Sequence, residues 1–553
     1  MPGKRGAIFV HTSKAQFVLL ICLLAAFTLI QIGPLFSLFS KAFLDKDGHF
    51  AGLQNYADYF DSPSLRTSVR NTADVSLVTT VCSVLLGFAY AYGLTRTNMR
   101  GKAFFRYTAL IPIFLPTVVH ALGLVYIFGR QGILTGLGVE TELYGRFGII
   151  LSEIIYTFPQ AFLMFVVALE VADGRLYEAA DSMGVSAPGK FFGITLPDIK
   201  YTVVNVFFVC FTLAFTDFGA PKVLGGGYNV LATDIYKQIA GQFDMNMGAV
   251  VGTLLLLPAV LSFAAGRIAG NRNASTINTK TTRLVVRENR LRDALFFAFC
   301  ALVSLCFLFL IAVLFMGALT EYYPYNMAPT LRHFGFNASA GGMGSYFNSL
   351  RMSLTTALFG TVFVFVYAYI MEKTEGFGPL RKYGRLLATL PLALPGMVIG
   401  VAFIFFFNAR ENPLHFIYGT IVILVLSNIL HYFAVPFITA SGSLKRLDRE
   451  FESVSDSMNI SRLRLFLRVS VPLSLSAVLE IFMYYFVNSM VTVSAVVFLY
   501  GAKFKIASIA ITHMEEAGDI SQAAAMSLLI LFINVAVRIA YAFAVRRIER
   551  RES

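Results

Sequence analysis

Glu178-Ala179-Ala180-Asp181-Ser182-Met183-Gly184-Val185-Ser186 and Ser453-Val454-Ser455-Asp456-Ser457-Met458-Asn459-Ile460-Ser461 lie 275 positions apart and read as two versions of one text. Pro197 and Pro472 follow at the same separation, so the match stays in register to the end of each segment. Each copy is a polar stretch between two long apolar runs, which describes a duplicated membrane protein. The repeated segment lies on the polar side, where a soluble partner can reach both copies.

Composition supports this. The chain of 553 residues is 57% apolar and 14% charged, with a mean hydropathy of +0.68, against about 25% charged residues in soluble domains. Twelve apolar stretches approach the ~20 residues that a helix needs to cross a bilayer. They centre on 15–39, 73–94, 107–128, 148–172, 201–221 and 247–266, then on 293–318, 352–371, 386–407, 418–440, 475–500 and 521–544. The expected fold is all-α and polytopic, with one six-span repeat over 1–270, a linker over 271–292 and a second repeat over 293–553. The duplication reaches the spans too. Pro112 and Pro116 match Pro391 and Pro395, and Tyr90-Ala91-Tyr92 matches Tyr367-Ala368-Tyr369. With six spans in each half, the repeats have the same orientation and are related by an axis along the membrane normal.

Charge orients the bundle. Of 45 Lys and Arg, 31 fall on the side that carries the repeated loops and 13 on the other, with Arg538 inside a span. The positive-inside rule puts both termini and both loops in the cytoplasm. The net charge of +13 is then topological and implies no nucleic-acid site. Cys22, Cys82, Cys210, Cys300 and Cys306 all sit in apolar stretches without metal-ligand spacing. The first apolar run is longer than a signal-peptide core and reads as a retained span. The linker, polar from Asn271 to Thr282 and then basic at Arg283, Arg287, Arg290 and Arg292, reads as a solvated cytoplasmic connector.

The loop of copy one, 176–197, predicts a short helix with Ala179, Ala180 and Met183 on one face and Glu178, Asp181 and Ser182 towards solvent. Gly184 turns the chain, and Leu196-Pro197 breaks it before the next span. The shape suits a groove in another protein, and copy two repeats it over 451–472. Each Gly-Lys pair, at 3–4, 101–102 and 189–190, lacks the following Ser or Thr of a phosphate-cradling loop. The chain is therefore not expected to hydrolyse ATP. Its seven His are scattered, and neither a catalytic constellation nor a metal site is expected.

Glu178-Ala179-Ala180, Gly184 and Leu196-Pro197 resemble the EAA motif of binding-protein-dependent ABC importer permeases, and the span order and proline-rich third span of each half resemble that family over the whole chain. The resemblance implies a fused, two-domain type I permease of the ferric-iron, thiamine and phosphonate group in the bacterial cytoplasmic (inner) membrane. It implies two ABC ATPase subunits docked under coupling loops formed by Glu178, Ala179, Ala180, Asp181, Gly184 and Pro197 and by Glu452, Ser453, Asp456, Asn459 and Pro472. It also implies an extracytoplasmic substrate-binding protein, and no cofactor of the chain's own, since ATP binds the partners. Copy two departs from the motif: Ser453 stands where Glu178 did, with Glu452 adjacent, and Asn459 replaces Gly184. Asn tolerates a left-handed turn, so the loop shape is expected to survive.

An ion-coupled secondary transporter is the competing class. It requires ionisable groups inside the membrane, and Glu153, Glu170 and Glu480 are too few and unpaired for a relay. For cargo, Phe215-Thr216-Asp217-Phe218 and the stretch from Gly225 to Gln238 are similar to permeases assigned to 2-aminoethylphosphonate. Ferric iron comes second, and thiamine or polyamine after it. The expected substrate path comprises Asp217, Lys222, Tyr228, Asp234, Glu153 and Glu480, with Lys222 and Tyr228 as donors to an oxyanion. Residue types alone leave iron open, because Tyr and Asp are also oxygen ligands.

Overall fold

The computed structural model describes residues 14–139, 141–273, 282, 284–337, 341–374, 377–448 and 450–552. Apart from a short hairpin, Thr320–Tyr322 with Asn326–Pro329, its regular structure is helical. Nine helices among the described residues are long and apolar enough to cross a membrane. Spans 1 to 6 are Gln16–Phe43, Pro63–Arg96, Thr117–Gly136, Arg146–Glu170, Ala187–Thr216 and Met245–Gly266. Spans 7, 8 and 12 are Arg290–Leu319, Gly342–Lys373 and Ile520–Ile548. Spans 9, 10 and 11 are helix pairs bent by 111°, 57° and 78°. The expected twelve spans are thus present as six and six, but several are not the continuous rods that the apolar stretches suggest.

The third span of each half is broken at its second proline. Leu115 and Leu394, which precede Pro116 and Pro395, are extended, because a proline ring crowds the preceding residue out of the helical region. The helices that follow, Thr117–Phe128 and Gly396–Phe407, have 12 residues each. At 1.5 Å per residue each is about 18 Å long, well short of a ~30 Å hydrocarbon core. The preceding 3₁₀ turns, Ile111–Phe114 and Leu390–Ala393, complete the crossing. Span 10 bends between His431 and Ala434. Pro436 lies four residues beyond Tyr432 and removes the hydrogen bond that Tyr432 would otherwise accept.

Span 5 corrects another expectation. The chain does not break at Leu196-Pro197: a π turn over Phe191–Thr195 widens the helix, and Pro197 sits in the first turn of the α-helix that follows, where a missing N–H costs little. This helix ends at Thr216 rather than running to 221, and Gly219–Leu224 forms a separate short helix. In copy two the helix of span 11 runs only over Leu475–Val491, and Thr492 to Tyr500 are non-helical turns.

The halves exchange their first helices. Span 1 packs on spans 6 and 9, and span 7 on spans 3 and 12. The same internal bond recurs in both repeats: the Tyr90 hydroxyl donates to the Phe105 carbonyl and that of Tyr367 to the Gly384 carbonyl, each at 2.8 Å. Ser304 of span 7 joins this network at 2.9 Å from Tyr90 and 2.8 Å from Thr108. Lipid supplies no hydrophobic drive between helices, so close backbone approach and such bonds hold the bundle. Gly219 against Thr117 and Gly396 against Ser494 leave no room for a Cβ. The close approach occurs in both halves, with the glycine on opposite partners.

Candidate functional site: two helix-turns and a central cavity

The two repeated loops fold alike. Gly174–Ser182 and Glu450–Ser457 are helices, and each ends in a left-handed residue, Gly184 at φ 71° and Asn459 at φ 52°. The Val185 N–H reaches the Ala180 carbonyl at 2.9 Å, and the Ile460 N–H reaches the Ser455 carbonyl at 2.8 Å. Both turns thus close the last carbonyls of the helix in the same way. No atom lies within 4 Å of a Cβ built on Gly184, so backbone conformation, not space, favours glycine there.

The buried face differs from the expected one. Ala180 is buried together with Tyr177 and Gly174, whereas Ala179 is exposed and Met183 is 73% exposed. The outward stripe is Leu176, Ala179 and Met183, repeated as Phe451, Val454 and Met458. The i, i+3, i+7 spacing was legible, but alanine's small side chain gave no sign of which stripe faces in. Glu178 and Ser453 are exposed, as are Pro197 and Pro472. Asp181 is held by Lys190 at 2.5 Å and approached by Arg287 at 3.8 Å. The Lys190 hydrogen bond keeps its carboxyl below the usual range. The Asp456 side chain lies outside the described residues.

Each helix is anchored to the end of its half's second span by a basic residue that the sequence reading passed over. In copy one Arg96 donates to the Leu169 carbonyl at 2.9 Å and lies over the Tyr177 ring at 5.4 Å. In copy two Lys373 donates to the Leu447 carbonyl at 3.0 Å and pairs with Glu452 at 3.0 Å. Glu452 is therefore an internal anchor and not an outward substitute for Glu178. The signal was available: Arg96 and Lys373 both stand four residues after the Tyr-Ala-Tyr repeat. Part of the linker is also docked, not simply solvated. The Thr282 carbonyl accepts the Gly174 N–H at 2.8 Å, and the Thr282 hydroxyl donates to Asp173 at 3.2 Å. The Val286 carbonyl accepts from Asn98 at 2.8 Å. Residues 274–281 and 283 lie outside the described residues.

Between the halves lies a cavity of about 200 Å³. Span 3 contributes Pro112, Pro116 and Thr117, span 4 Tyr156 and Gln160, and span 5 Asp217. The second half contributes His431 and Tyr432 from the bend of span 10, and Tyr484, Asn488 and Thr492 from span 11. The proline breaks thus open the site, because straight spans would close it with side chains. Asp217 Oδ2 accepts the Ala220 N–H at 2.9 Å. Glu153 is fully buried behind it: neither of its oxygens has a hydrogen bond of good geometry, and the Asp217 carboxyl is the polar group that it faces. Glu480 is exposed on span 11 and does not line the cavity.

The remaining expected path residues do not converge. Lys222 pairs with Glu516 of the second half at 2.5 Å and lies over the Tyr236 ring at 4.8 Å. The Tyr228 hydroxyl donates to Asp74 at 3.2 Å, and Asp74 also binds Arg146 at 2.5 Å. Asp234 is buried, and burial raises its carboxyl above the usual range. Ion pairing between loops consumes these groups, which sequence proximity could not reveal. Asp45, Asp47 and His49 cluster in the loop after span 1, but Asp45 spends its Oδ1 on the N–H groups of Asp47 and His49.

Comparison with known proteins agrees with this architecture. The model of the "Binding-protein-dependent transport system inner membrane component" family matches twice, over residues 83–272 and 365–550. The ferric transport system permease protein FbpB of Actinobacillus pleuropneumoniae is 28% identical over 485 residues, spanning 85% of this chain and 70% of that protein. A putative ferric transport system permease, FbpB 1 of Haemophilus influenzae, is 28% identical over 88% of this chain and 78% of its own length. A crystal structure of a bacterial transporter for the acidic polysaccharide alginate aligns with 48% of this chain and 96% of its own at 17% identity and a TM-score of 0.40. With the family model matched in both halves over most of its length, the chain belongs to the binding-protein-dependent transport system inner membrane components, as a two-domain permease subunit of an ABC importer.

Proposed function

We propose that the chain forms the membrane path of a ferric-iron importer. The observation that carries this reading is the wall of the central cavity, which holds the Asp217 carboxylate, the phenols of Tyr156, Tyr432 and Tyr484, and no Lys or Arg. In a low-dielectric site an uncompensated carboxylate favours a cation and disfavours an oxyanion. The two ferric relatives support the same choice. 2-Aminoethylphosphonate, first on sequence grounds, loses its donors, because Lys222 and Tyr228 are spent on Glu516 and Asp74.

Energy comes from two ATPase subunits seated on the cytoplasmic helix-turns, and iron from an extracytoplasmic binding protein. The outward apolar stripes Leu176/Ala179/Met183 and Phe451/Val454/Met458 support the docking, since two equivalent uncovered stripes on one face suit two copies of a partner. The charge asymmetry of the loops supports cytoplasmic termini. Single cysteines at Ser186 and Ser461 in a Cys-free background should label only from the cytoplasm, and labelling of either from outside intact cells would reverse the topology. The cargo test is uptake of radiolabelled ferric iron by cells that depend on this chain, with 2-aminoethylphosphonate as competitor. Iron uptake indifferent to phosphonate is expected. Phosphonate uptake without iron uptake would overturn the reading.

A further inference from the structure

The geometry points to a transit site for a bare, hard trivalent cation at mid-membrane depth, formed by the Asp217 carboxylate of the first half with the phenols of Tyr156, Tyr432 and Tyr484. This rests on the ferric-iron reading and deepens it, by assigning the ion to direct protein ligands on its way through the bundle.

Three observations converge. First, the donors meet across the repeat interface. Tyr156 and Asp217 from the first half and Tyr432 and Tyr484 from the second line the same cavity. The Tyr432 and Tyr484 rings meet edge to face, with centroids 6.2 Å apart. Second, His431 Nδ1, a buried polar atom of the cavity wall, has no hydrogen bond. An unsatisfied polar group in a membrane interior is costly, so one in a cavity wall marks a place where something binds. Third, this cavity differs from the two larger ones near the faces of the bundle. Those carry Arg130 and Arg332, or Arg96 and Arg106, in their walls, whereas the central wall carries no Lys or Arg.

The donor set selects the class of ion. Hard cations take oxygen ligands, whereas thiolate and thioether favour soft metals, and neither Cys nor Met lines the wall. At about 30 Å³ per water, 200 Å³ admits an ion with a few waters. It is too small for a large chelate to pass intact. Each phenol that binds exchanges its proton for the ion, as metal ligation requires, and the proton leaves with the accompanying water. The iron remains trivalent and no electron is transferred. Glu153, behind Asp217, is a positioning residue that faces the Asp217 carboxyl without being a ligand.

The full-length chain in lipid nanodiscs, titrated with ferric nitrilotriacetate, should develop the visible phenolate-to-iron charge-transfer band. Each of Tyr156→Phe, Tyr432→Phe and Tyr484→Phe should reduce the band, and the triple variant should abolish it. Asp217→Asn should weaken iron binding by about tenfold or more. Tyr228→Phe, at the outer face, should leave the band unchanged. These changes remove one hydroxyl or one charge at near-constant volume, and monodispersity in nanodiscs checks the fold. A silent wild-type protein, or a band that survives the triple variant, would overturn the site. If radiolabelled iron uptake persists in that case, only the site fails. If iron uptake is absent, the cargo reading fails with it.

Discussion

The helix-turns of the two repeats have the same backbone and different chemistry beneath it. In the first half a buried guanidinium lies over an aromatic ring, Arg96 on Tyr177; in the second a buried ammonium meets a carboxylate, Lys373 on Glu452. One turn is closed by Gly184 and the other by Asn459. The first helix leads into an unbroken span 5, while the second leads into a span bent by 78° about Ser474. The contrast teaches that the duplication preserved positions and backbone shape, and that each half found its own way of fixing a basic residue under the loop.

The largest expected asymmetry is in the anchors. Glu452→Gln leaves Lys373, whose side chain is 6% exposed, as a buried charge without its counter-ion, at a cost of about 3 kcal/mol. Tyr177→Leu removes a ring contact and the 2.9 Å hydrogen bond between the Tyr177 and Thr195 hydroxyls, and should cost about 2 kcal/mol. The chain has no Trp, so unfolding is best followed with a thiol-reactive dye on the buried Cys210 and Cys300. Equal losses in the two variants would break the contrast.

The docking stripes come next. Leu176 is 54% exposed and the larger Phe451 42%, so the two side chains offer similar apolar area. Leu176→Ala and Phe451→Ala should each weaken ATPase co-purification by about 1–2 kcal/mol. Co-purification unchanged in both variants would mean that apolar area does not dominate the contact.

The turns should differ less. Gly184→Val forces a β-branched residue to a positive φ and should cost about 1–2 kcal/mol, with a matching loss of substrate-stimulated hydrolysis. Asn459→Gly should be neutral within about 0.5 kcal/mol. A Gly184→Val variant with full transport would remove the turn from coupling.

The smallest effect lies where the segments after spans 5 and 11 meet. Burial, reinforced by Glu516, pushes the Glu515 carboxyl up from 4.5 to about 7. The folded chain then holds a proton that the unfolded chain has released, so this group lowers stability as pH rises from 4.5 to 7 and has no effect below that window. Glu516 runs the other way. The His513 hydrogen bond and the Lys222 charge hold it at about 2, so its contribution is complete above 4.5 and is lost only as pH falls towards 2. Glu515→Gln should flatten the dependence of the thermal midpoint on pH between 4.5 and 7, an effect of about 1 kcal/mol or less after solvent screening. An unchanged slope would show that another group titrates there.

Sequence by itself determined the duplication, the twelve crossings and the positions of the helix-turns. Hydrophobic length and repeated spacing are local properties, and the 275-residue register carries Asn459 into the same left-handed turn as Gly184. The breaks at Pro116 and Pro395 were only half legible. The prolines stood in plain view, but a hydropathy stretch does not register where a backbone bond is missing. Tertiary structure alone decided which face of the helix at Ala179 and Ala180 turns inward, and that Lys222 is spent on Glu516. It also decided that Tyr156, Tyr432 and Tyr484 share a wall with Asp217. These residues lie far apart along the chain, and no local pattern encodes the exchange of first helices and the proline bends that bring the two halves around one cavity.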